Sequence, residues 1–125
     1  MSKKRILSIE DEPAIQLTLR ARLEACGYEV LSATDGETGL HMAREEKPDL
    51  ILLDLMLPKR DGYSVCRLLK FDQRYSQIPI LMLTARGQAK DRETGMKTGA
   101  DAYLTKPFDS EELMSTVRRL LKEDD

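Results

Sequence analysis

The chain has 125 residues, a net charge of −2 and 34% charged residues, which suits one domain with a buried core. This charge balance gives no reason to expect direct contact with nucleic acid. No apolar stretch approaches the ~20 residues that a membrane span needs, and the basic start precedes too short an apolar run for a signal peptide. We therefore expect a cytoplasmic protein that contacts no membrane.

Apolar runs alternate five times with helical patterns along the chain. The strands are predicted near residues 4–9, 28–33, 49–54, 79–84 and 101–105, and the helices near 12–26, 36–46, 62–72, 88–98 and 109–122. Short continuous apolar runs are typical of parallel strands that are covered on both faces. The alternation predicts an α/β fold in which residues 1–125 form a single domain.

Several residues mark the ends of the predicted helices. Pro13 suits a first helical turn, and Gly27 and Gly99 stand where left-handed caps are expected. Asp109 begins a sequence that resembles a capping box. The fourth helix has Met96 as its only larger apolar residue, so we expect it to be weakly anchored and mobile.

The two cysteines and the single histidine do not form a recognisable site. Cys26 and Cys66 lack a metal-type spacing and fall on helical apolar patterns, so we expect both to be small buried side chains. His41 lies in a mostly polar helix without an obvious partner. We expect neither a catalytic nor a metal-binding role for it.

Polar side chains follow four of the predicted strands, where ligands bind in open parallel sheets. They are Glu10, Asp11, Asp54, Thr84 and Lys106. Three crowded carboxylates favour a bound cation, and their oxygen atoms suit Mg²⁺. A carboxylate can also attack phosphorus while a metal and a lysine stabilise the transferred group. Asp54 is the best candidate nucleophile because its strand is expected to be central. The alternative is a buried ion-pair cluster with no chemistry.

Four motifs, taken together and in order, resemble those of the receiver domain of two-component response regulators. They are Glu10-Asp11, Asp54-Leu55-Met56-Leu57-Pro58 followed by Asp61-Gly62, Thr84-Ala85, and Tyr103-Leu104-Thr105-Lys106-Pro107-Phe108. The resemblance covers essentially the whole chain. It implies a (βα)5, flavodoxin-like fold: a doubly wound parallel five-stranded sheet with strand order 2-1-3-4-5.

The resemblance also implies a phosphoryl-transfer site. Asp54 would accept a phosphoryl group from the phosphohistidine of a sensor histidine kinase or a phosphotransfer protein. Glu10, Asp11 and Asp54 would hold Mg²⁺ by their side chains, and Met56 would add its backbone carbonyl. Such a receiver catalyses only its own phosphorylation and dephosphorylation, so we do not expect an enzyme that turns over a metabolite.

Further residues take their roles from the same resemblance. Thr84 and Lys106 would contact the phosphoryl group, and Tyr103 would turn inward as the Thr84 hydroxyl moves. This change would switch the face formed by the fourth helix, fifth strand and fifth helix. The peptide bond between Lys106 and Pro107 would be cis.

Two positions that tune dephosphorylation in this family hold Met56 and Arg86. A bulky apolar residue and a long cation would obstruct an attacking water, so we expect a fairly persistent phosphoryl group. The first acidic position is Glu10 where many members have aspartate. Its longer side chain could reach the metal through a water.

The relation to an output domain stays open at the level of sequence. The stretches 83–87 and 98–101 resemble those of winged-helix transcriptional regulators, which pair through a charged network on the fourth-helix face. Arg92 and Glu112 match one pair of this network, but Ala102 and Thr116 replace an acidic and a basic residue. A phosphorylation-dependent homodimer through this face is therefore in doubt. The chain could be a stand-alone regulator acting on an effector protein or a domain of a longer regulator.

Three other functions remain as alternatives. A phosphatase of the haloacid dehalogenase type would carry a second aspartate at the position of Met56 and a substrate cap. A receiver-like module that binds without phosphorylation would not need the full set of site residues. A flavin-binding protein of the same fold would need a phosphate-binding loop where Glu10 and Asp11 stand.

Overall fold

The computed structural model describes residues 3–85 and 99–123 of the chain. These residues form the strands β1 (Arg5–Ile9), β2 (Glu29–Ala33), β3 (Leu50–Asp54), β4 (Ile80–Ala85) and β5 (Ala102–Lys106), and the helices α1 (Pro13–Ala25), α2 (Gly36–Glu46), α3 (Gly62–Lys70) and α4 (Ser110–Leu120). The predicted helix at 88–98, together with Arg86, Arg92 and Met96, lies outside the described residues.

The five strands form one parallel sheet in the order β2-β1-β3-β4-β5. This order confirms the doubly wound fold that the resemblance implies. β3 occupies the centre, and all five of its residues are buried, as expected for the strand that ends at Asp54. Within the described residues, no helix has the length and apolar character required to cross a membrane.

The sheet separates two apolar layers, and alternate strand residues enter each of them. On β3, Leu50 and Leu52 pack with α1 and α4, whereas Ile51 and Leu53 pack with α2 and α3. Successive side chains of a strand point to opposite faces, so a strand covered on both sides needs a continuous apolar run. Both faces of the sheet are thus closed, and polar chemistry is confined to its edges and ends.

The helix ends follow most of the predicted signals. Pro13 is the first residue of α1, and Gly27 and Gly99 have positive φ angles of 93° and 95°. Asp109 occupies the cap position of α4, but its side chain makes no capping hydrogen bond, so the structure does not show the capping box that this sequence resembles.

The prediction that both cysteines are buried is wrong for Cys26, which is exposed. α1 ends at Ala25, and Cys26 is its cap residue, with φ −94° and ψ 7°. Its side chain therefore leaves the helical stripe that buries Leu19 and Leu23. Cys66 is buried, as predicted.

Gly62, the first residue of α3, packs directly against the end of β3. A Cβ atom at this position would lie 2.4 Å from the carbonyl oxygen of Asp54 and 2.9 Å from the Cα of Leu55. The Gly62 amide also donates a 2.9 Å hydrogen bond to the carbonyl of Leu55. The absence of a side chain at Gly62 thus lets α3 begin directly behind the strand end that carries Asp54.

Replacing Gly62 with alanine should lower the free energy of unfolding by about 2 kcal/mol, because the added methyl group must displace strand backbone rather than a flexible side chain. Chemical denaturation of the wild-type protein and Gly62→Ala measures this difference. As a control, Ser115→Thr adds one methyl group on an exposed part of α4 and should change stability by less than about 0.5 kcal/mol. Equal effects in the two variants would contradict this packing argument.

Candidate functional site

The carboxyl ends of β1 and β3 bring the predicted acidic residues to one place. Ile9 of β1 pairs with Leu53 of β3, so Glu10 and Asp54 leave the sheet side by side. One ligand oxygen from each of Glu10, Asp11 and Asp54 lies within 4.8 Å of the others. Glu10 is fully buried and Asp54 is 6% exposed, whereas Asp11 is exposed.

Lys106 reaches this cluster from the end of β5. Its Nζ donates to Oε1 of Glu10 at 2.7 Å and to Oδ1 of Asp54 at 3.1 Å. The ammonium group therefore bridges the two buried carboxylates. Asp11 makes no ion pair among the residues that the structure describes.

Backbone groups complete the contacts of the two buried carboxylates. The Glu12 amide donates to Oε2 of Glu10 at 3.0 Å, and the Met56 amide hydrogen-bonds to the Asp54 carboxylate. Each carboxylate thus has a lysine and a main-chain donor. This arrangement fixes both side chains where the strands end.

Gln16 of α1 is a supporting residue that our sequence analysis missed. Its buried side-chain amide lies 3.1, 3.0 and 2.9 Å from the carbonyl oxygens of Ser8, Glu10 and Ala33. The amide joins the ends of β1 and β2 and holds the main chain of Glu10. A polar residue three positions before Leu19, on the buried stripe of the helix, was the available signal.

Thr84 and Tyr103 lie on neighbouring strands and point to the same face of the sheet. Met82 pairs with Tyr103 and Thr84 pairs with Thr105, two residues further along both strands. Thr84 is buried, and the half-buried Tyr103 packs against the apolar layer under α2 and α3. A movement of the Thr84 side chain would therefore affect the packing on the face of the sheet that holds the Tyr103 ring.

The structure describes most of the remaining residues that the sequence analysis singled out. Met56 follows β3 with its side chain 67% exposed, and the Lys106–Pro107 peptide bond is cis, the isomer that the resemblance implies. His41 is exposed on α2. Arg86 lies outside the described residues, so the structure gives no position for it.

The electrostatic balance of the cluster favours an additional cation. Burial raises the pKa of Glu10, and the Lys106 hydrogen bond only partly opposes this shift. Burial also raises the pKa of Asp54, against the Lys106 charge and with the help of the Asp11 charge. For Lys106 itself, burial lowers the pKa, but the Glu10 hydrogen bond and the Asp54 charge outweigh it and give a raised value. One ammonium is shared by two buried carboxylates. The contact therefore lowers the pKa of each carboxyl group less than burial raises it, whereas the two contacts together outweigh the effect of burial on the pKa of Lys106.

The donor set fits a hard divalent cation. Three carboxylates provide oxygen ligands within a few ångströms of one another, and one of them is exposed to the side from which an ion would enter. Magnesium is typically bound by one or two carboxylates, waters and phosphate oxygens. These residues therefore suit Mg²⁺ better than a metal that prefers sulfur or nitrogen ligands.

Clustered carboxylates and a bridging lysine thus stand at the carboxyl ends of a doubly wound parallel sheet, which is the arrangement that the sequence resemblance implies for a receiver domain. The family model described as the response regulator receiver domain matches residues 6–118. The chain belongs to this family of two-component signalling domains.

Curated relatives agree with this assignment. The chain is 53% identical over 97% of its length to the DNA-binding dual master transcriptional regulator RpaA of Synechocystis sp., and covers 50% of that protein. It is 47% identical over 95% of its length to the alkaline phosphatase synthesis transcriptional regulatory protein PhoP of Bacillus subtilis, and covers 49% of it. The chain thus spans about half the length of these relatives.

A solved structure also resembles the chain closely. It is the receiver domain of the sensor histidine kinase PA1611 from Pseudomonas aeruginosa, with a magnesium ion coordinated in the active site cleft. The two chains superpose with a TM-score of 0.89 and 35% identity, covering 97% of this chain and 99% of the other.

Replacing Asp54 with asparagine should stabilise the metal-free protein by roughly 1 kcal/mol at neutral pH, because it removes one buried charge from the cluster. The pKa of Asp54 is higher in the folded state than in the unfolded state. Ionisation of this carboxyl group therefore destabilises the fold as pH rises from the ordinary pKa of an aspartate to the raised pKa. The difference in the free energy of unfolding between Asp54→Asn and the wild-type protein should therefore grow as pH rises above about 4 and then level off. Denaturation curves in EDTA at several pH values measure this difference.

Asp35 supplies the matched control, since it caps α2 through the Thr38 amide at 2.7 Å. That backbone hydrogen bond lowers the pKa of Asp35, so its contribution to stability is present at neutral pH and is lost as pH falls. Asp35→Asn should therefore destabilise the protein, with a deficit that shrinks in acid. If Asp54→Asn behaved like Asp35→Asn, the account of the carboxylate cluster would be wrong.

Proposed function

We propose that this receiver accepts a phosphoryl group on Asp54 from the phosphohistidine of a sensor histidine kinase or phosphotransfer protein. The observation that carries the proposal is the Lys106 ammonium, which contacts both Glu10 and Asp54 at the end of the central strand. The family supports signalling rather than metabolism. The only reactions catalysed would be the phosphorylation and dephosphorylation of the chain itself.

Asp54 acts as the nucleophile. One of its carboxylate oxygens forms a bond to phosphorus while the P–N bond breaks, and the donor imidazole leaves with the electron pair of that bond. Its buried position, between Lys106 and the Met56 amide, fixes the carboxylate for this attack. The pairing with Lys106 also opposes the rise in the pKa of Asp54 that burial causes.

Glu10, Asp11, Asp54 and the backbone carbonyl of Met56 would hold Mg²⁺. When bound, the ion supplies positive charge for the oxygens of the transferred group. Lys106 serves the same oxygens from the side of β5. Its contact with Asp54 would then pass in part to the phosphoryl group, because the bonded carboxylate loses its own negative charge when it is phosphorylated.

Thr84 and Tyr103 would carry the signal away from the site. Phosphorylation adds about −1.5 to −2 of charge at the phosphate, and the buried Thr84 hydroxyl is the neighbouring donor on β4. Because Tyr103 points to the same face as Thr84, movement of the hydroxyl opens space for the ring. The switched face would include β5, α4 and the predicted helix at 88–98.

The names and lengths of the relatives support a proposal for the partners of this receiver. RpaA and PhoP are named as transcriptional regulators and are about twice as long as this chain, so we propose an output domain or a separate effector as the recipient. We place the protein in the cytoplasm, with residues 1–125 as one receiver domain and with no direct contact to nucleic acid or membrane.

Two positions of the switched face that are usually charged hold uncharged residues, which gives little support to pairing of two receivers through this face. Ala102, at a usual acidic position, is buried on β5. Thr116, at a usual basic position, donates its hydroxyl hydrogen to the Glu112 carbonyl of its own helix at 2.8 Å. Neither residue offers a charge to a second copy, so a homodimer through this face would need other contacts.

Incubation with acetyl phosphate and magnesium should add the mass of one phosphoryl group to the intact protein. Chelation of magnesium should abolish the gain, and Asp54→Asn should show none. Asp35→Asn, a carboxylate replacement at a helix cap, should be labelled like wild type. Persistent stoichiometric labelling of Asp54→Asn would refute the assignment. A wild-type protein that no phosphohistidine donor labels would instead be a binding module.

Met56 should slow the loss of the phosphoryl group. Its mostly exposed side chain stands beside the acceptor, so Met56→Ala should admit water and shorten the lifetime of the magnesium-bound phosphoprotein by several-fold. Leu17→Ala, an exposed apolar residue on α1, should leave the lifetime unchanged. Intact mass followed over time measures both, and a wild-type lifetime of only seconds would contradict the expected persistence.

A further inference from the structure

A groove with a volume of about 880 Å³ lies between α2 and α3, on the side of the sheet opposite α1 and α4. Ser64, Arg67, Leu68 and Phe71 line it. The spacing of Ser64, Arg67 and Leu68 places them on one face of α3, and Phe71, the residue that caps the helix, continues this face. The inward face of the same helix is buried in the core. α3 therefore presents apolar side chains to the core and to the groove.

The groove holds apolar surface that the fold does not use. Phe71 is 71% exposed and Leu68 is 39% exposed. Among the described residues, only Leu17 and Met56 are comparable exposed large apolar side chains. Single exposed apolar residues are ordinary, but neighbouring ones on one helix face mark interaction sites.

Four arginines surround this apolar surface. Arg44, Arg60, Arg67 and Arg74 line the groove, and Asp72 is the one acidic residue that lines it with them. The chain as a whole carries a net charge of −2, so the lining of this groove is more positive than the chain as a whole. The other large groove, between α1 and α4, has two arginines and a glutamate and is less positive.

The arginines differ in how far internal carboxylates neutralise them. Arg60 pairs with Glu37 at 2.5 Å, and Arg74 pairs with Asp72 at 2.7 Å. Neither Arg44 nor Arg67 forms an ion pair with any residue that the structure describes.

The two arginines differ in how accessible they are. The Nε of Arg44 is shielded from solvent and has no hydrogen-bond acceptor among the described residues, and its charge acts on Asp72 only at a distance, whereas Arg67 is exposed. The guanidinium of Arg67 lies 6.0 Å from the centre of the Phe71 ring, a cation–π contact that leaves its donors free to bind an acceptor. The groove thus combines an exposed aromatic ring with two arginines that form no ion pair with a described residue.

We propose that this α2–α3 patch (Arg44, Arg60, Arg67, Leu68, Phe71 and Arg74) docks an acidic, amphipathic segment of a partner protein. Arginine and aromatic residues are enriched in protein interfaces, and dominate their binding energy. α3 spans roughly 13 Å, which matches a partner helix of two to three turns laid in the groove. A nucleic acid would use the arginines but would leave Leu68 without a role.

The test is an NMR titration of the unphosphorylated, metal-free protein with a synthetic helical peptide. The peptide carries leucine at positions i, i+4 and i+7 and glutamate at most other positions. Chemical-shift changes should concentrate at residue 44 and at residues 60–74. Phe71→Ser and Arg67→Glu should each weaken binding at least about tenfold, and both changes are on the surface, so the fold should survive.

Matched controls lie on α1. Leu17→Ser removes an exposed apolar side chain and Arg22→Glu reverses an exposed charge outside the patch, and both variants should bind like wild type. A peptide with serine in place of leucine should bind at least about tenfold more weakly.

Four results would overturn the proposal. They are no localised shifts, equal binding by the serine peptide, tighter binding of a single-stranded oligonucleotide to the same residues, and self-association of the chain that Phe71→Ser abolishes. Because the titration needs neither magnesium nor phosphorylation, its failure would leave the assignment of Asp54 untouched.

Discussion

The contact on which the site depends is the Lys106 ammonium shared by Glu10 and Asp54. Two carboxylates are buried side by side at the end of the central strands, and burial raises the pKa of both. A single lysine, 2.7 and 3.1 Å away, offsets part of that cost. Additional positive charge, such as that of a bound divalent cation, would therefore stabilise the two buried carboxylates further.

The parallel sheet makes this crowding possible. Its two apolar layers hold the strands in register, so that residues one step beyond Ile9 and Leu53 must lie next to each other. Gly62 lets α3 start against the main chain of Asp54, and Gln16 ties the ends of β1 and β2 together. Packing forces thus position charges that would otherwise separate, and the same packing joins Thr84 to the face that holds Tyr103.

Much of this arrangement could be predicted from the sequence, because apolar runs identify strands and each strand end identifies its polar residues. The order of the strands needed the family resemblance, since no local pattern specifies which strands are neighbours. Gln16 escaped prediction because its role depends on three carbonyl groups from two strands. Cys26 was misplaced because α1 ends one residue earlier than its apolar stripe indicates. The α2–α3 patch joins side chains from separate segments, so only the folded chain shows that their charges are concentrated.

The central claim is that Asp54 carries the phosphoryl group. The most direct measurement is borohydride reduction of the labelled protein, which converts an aspartyl phosphate to homoserine, followed by peptide sequencing with mass spectrometry. The account predicts homoserine at position 54 and aspartate or glutamate unchanged at the other acidic positions. Homoserine at another aspartate, or label without any homoserine, would contradict it.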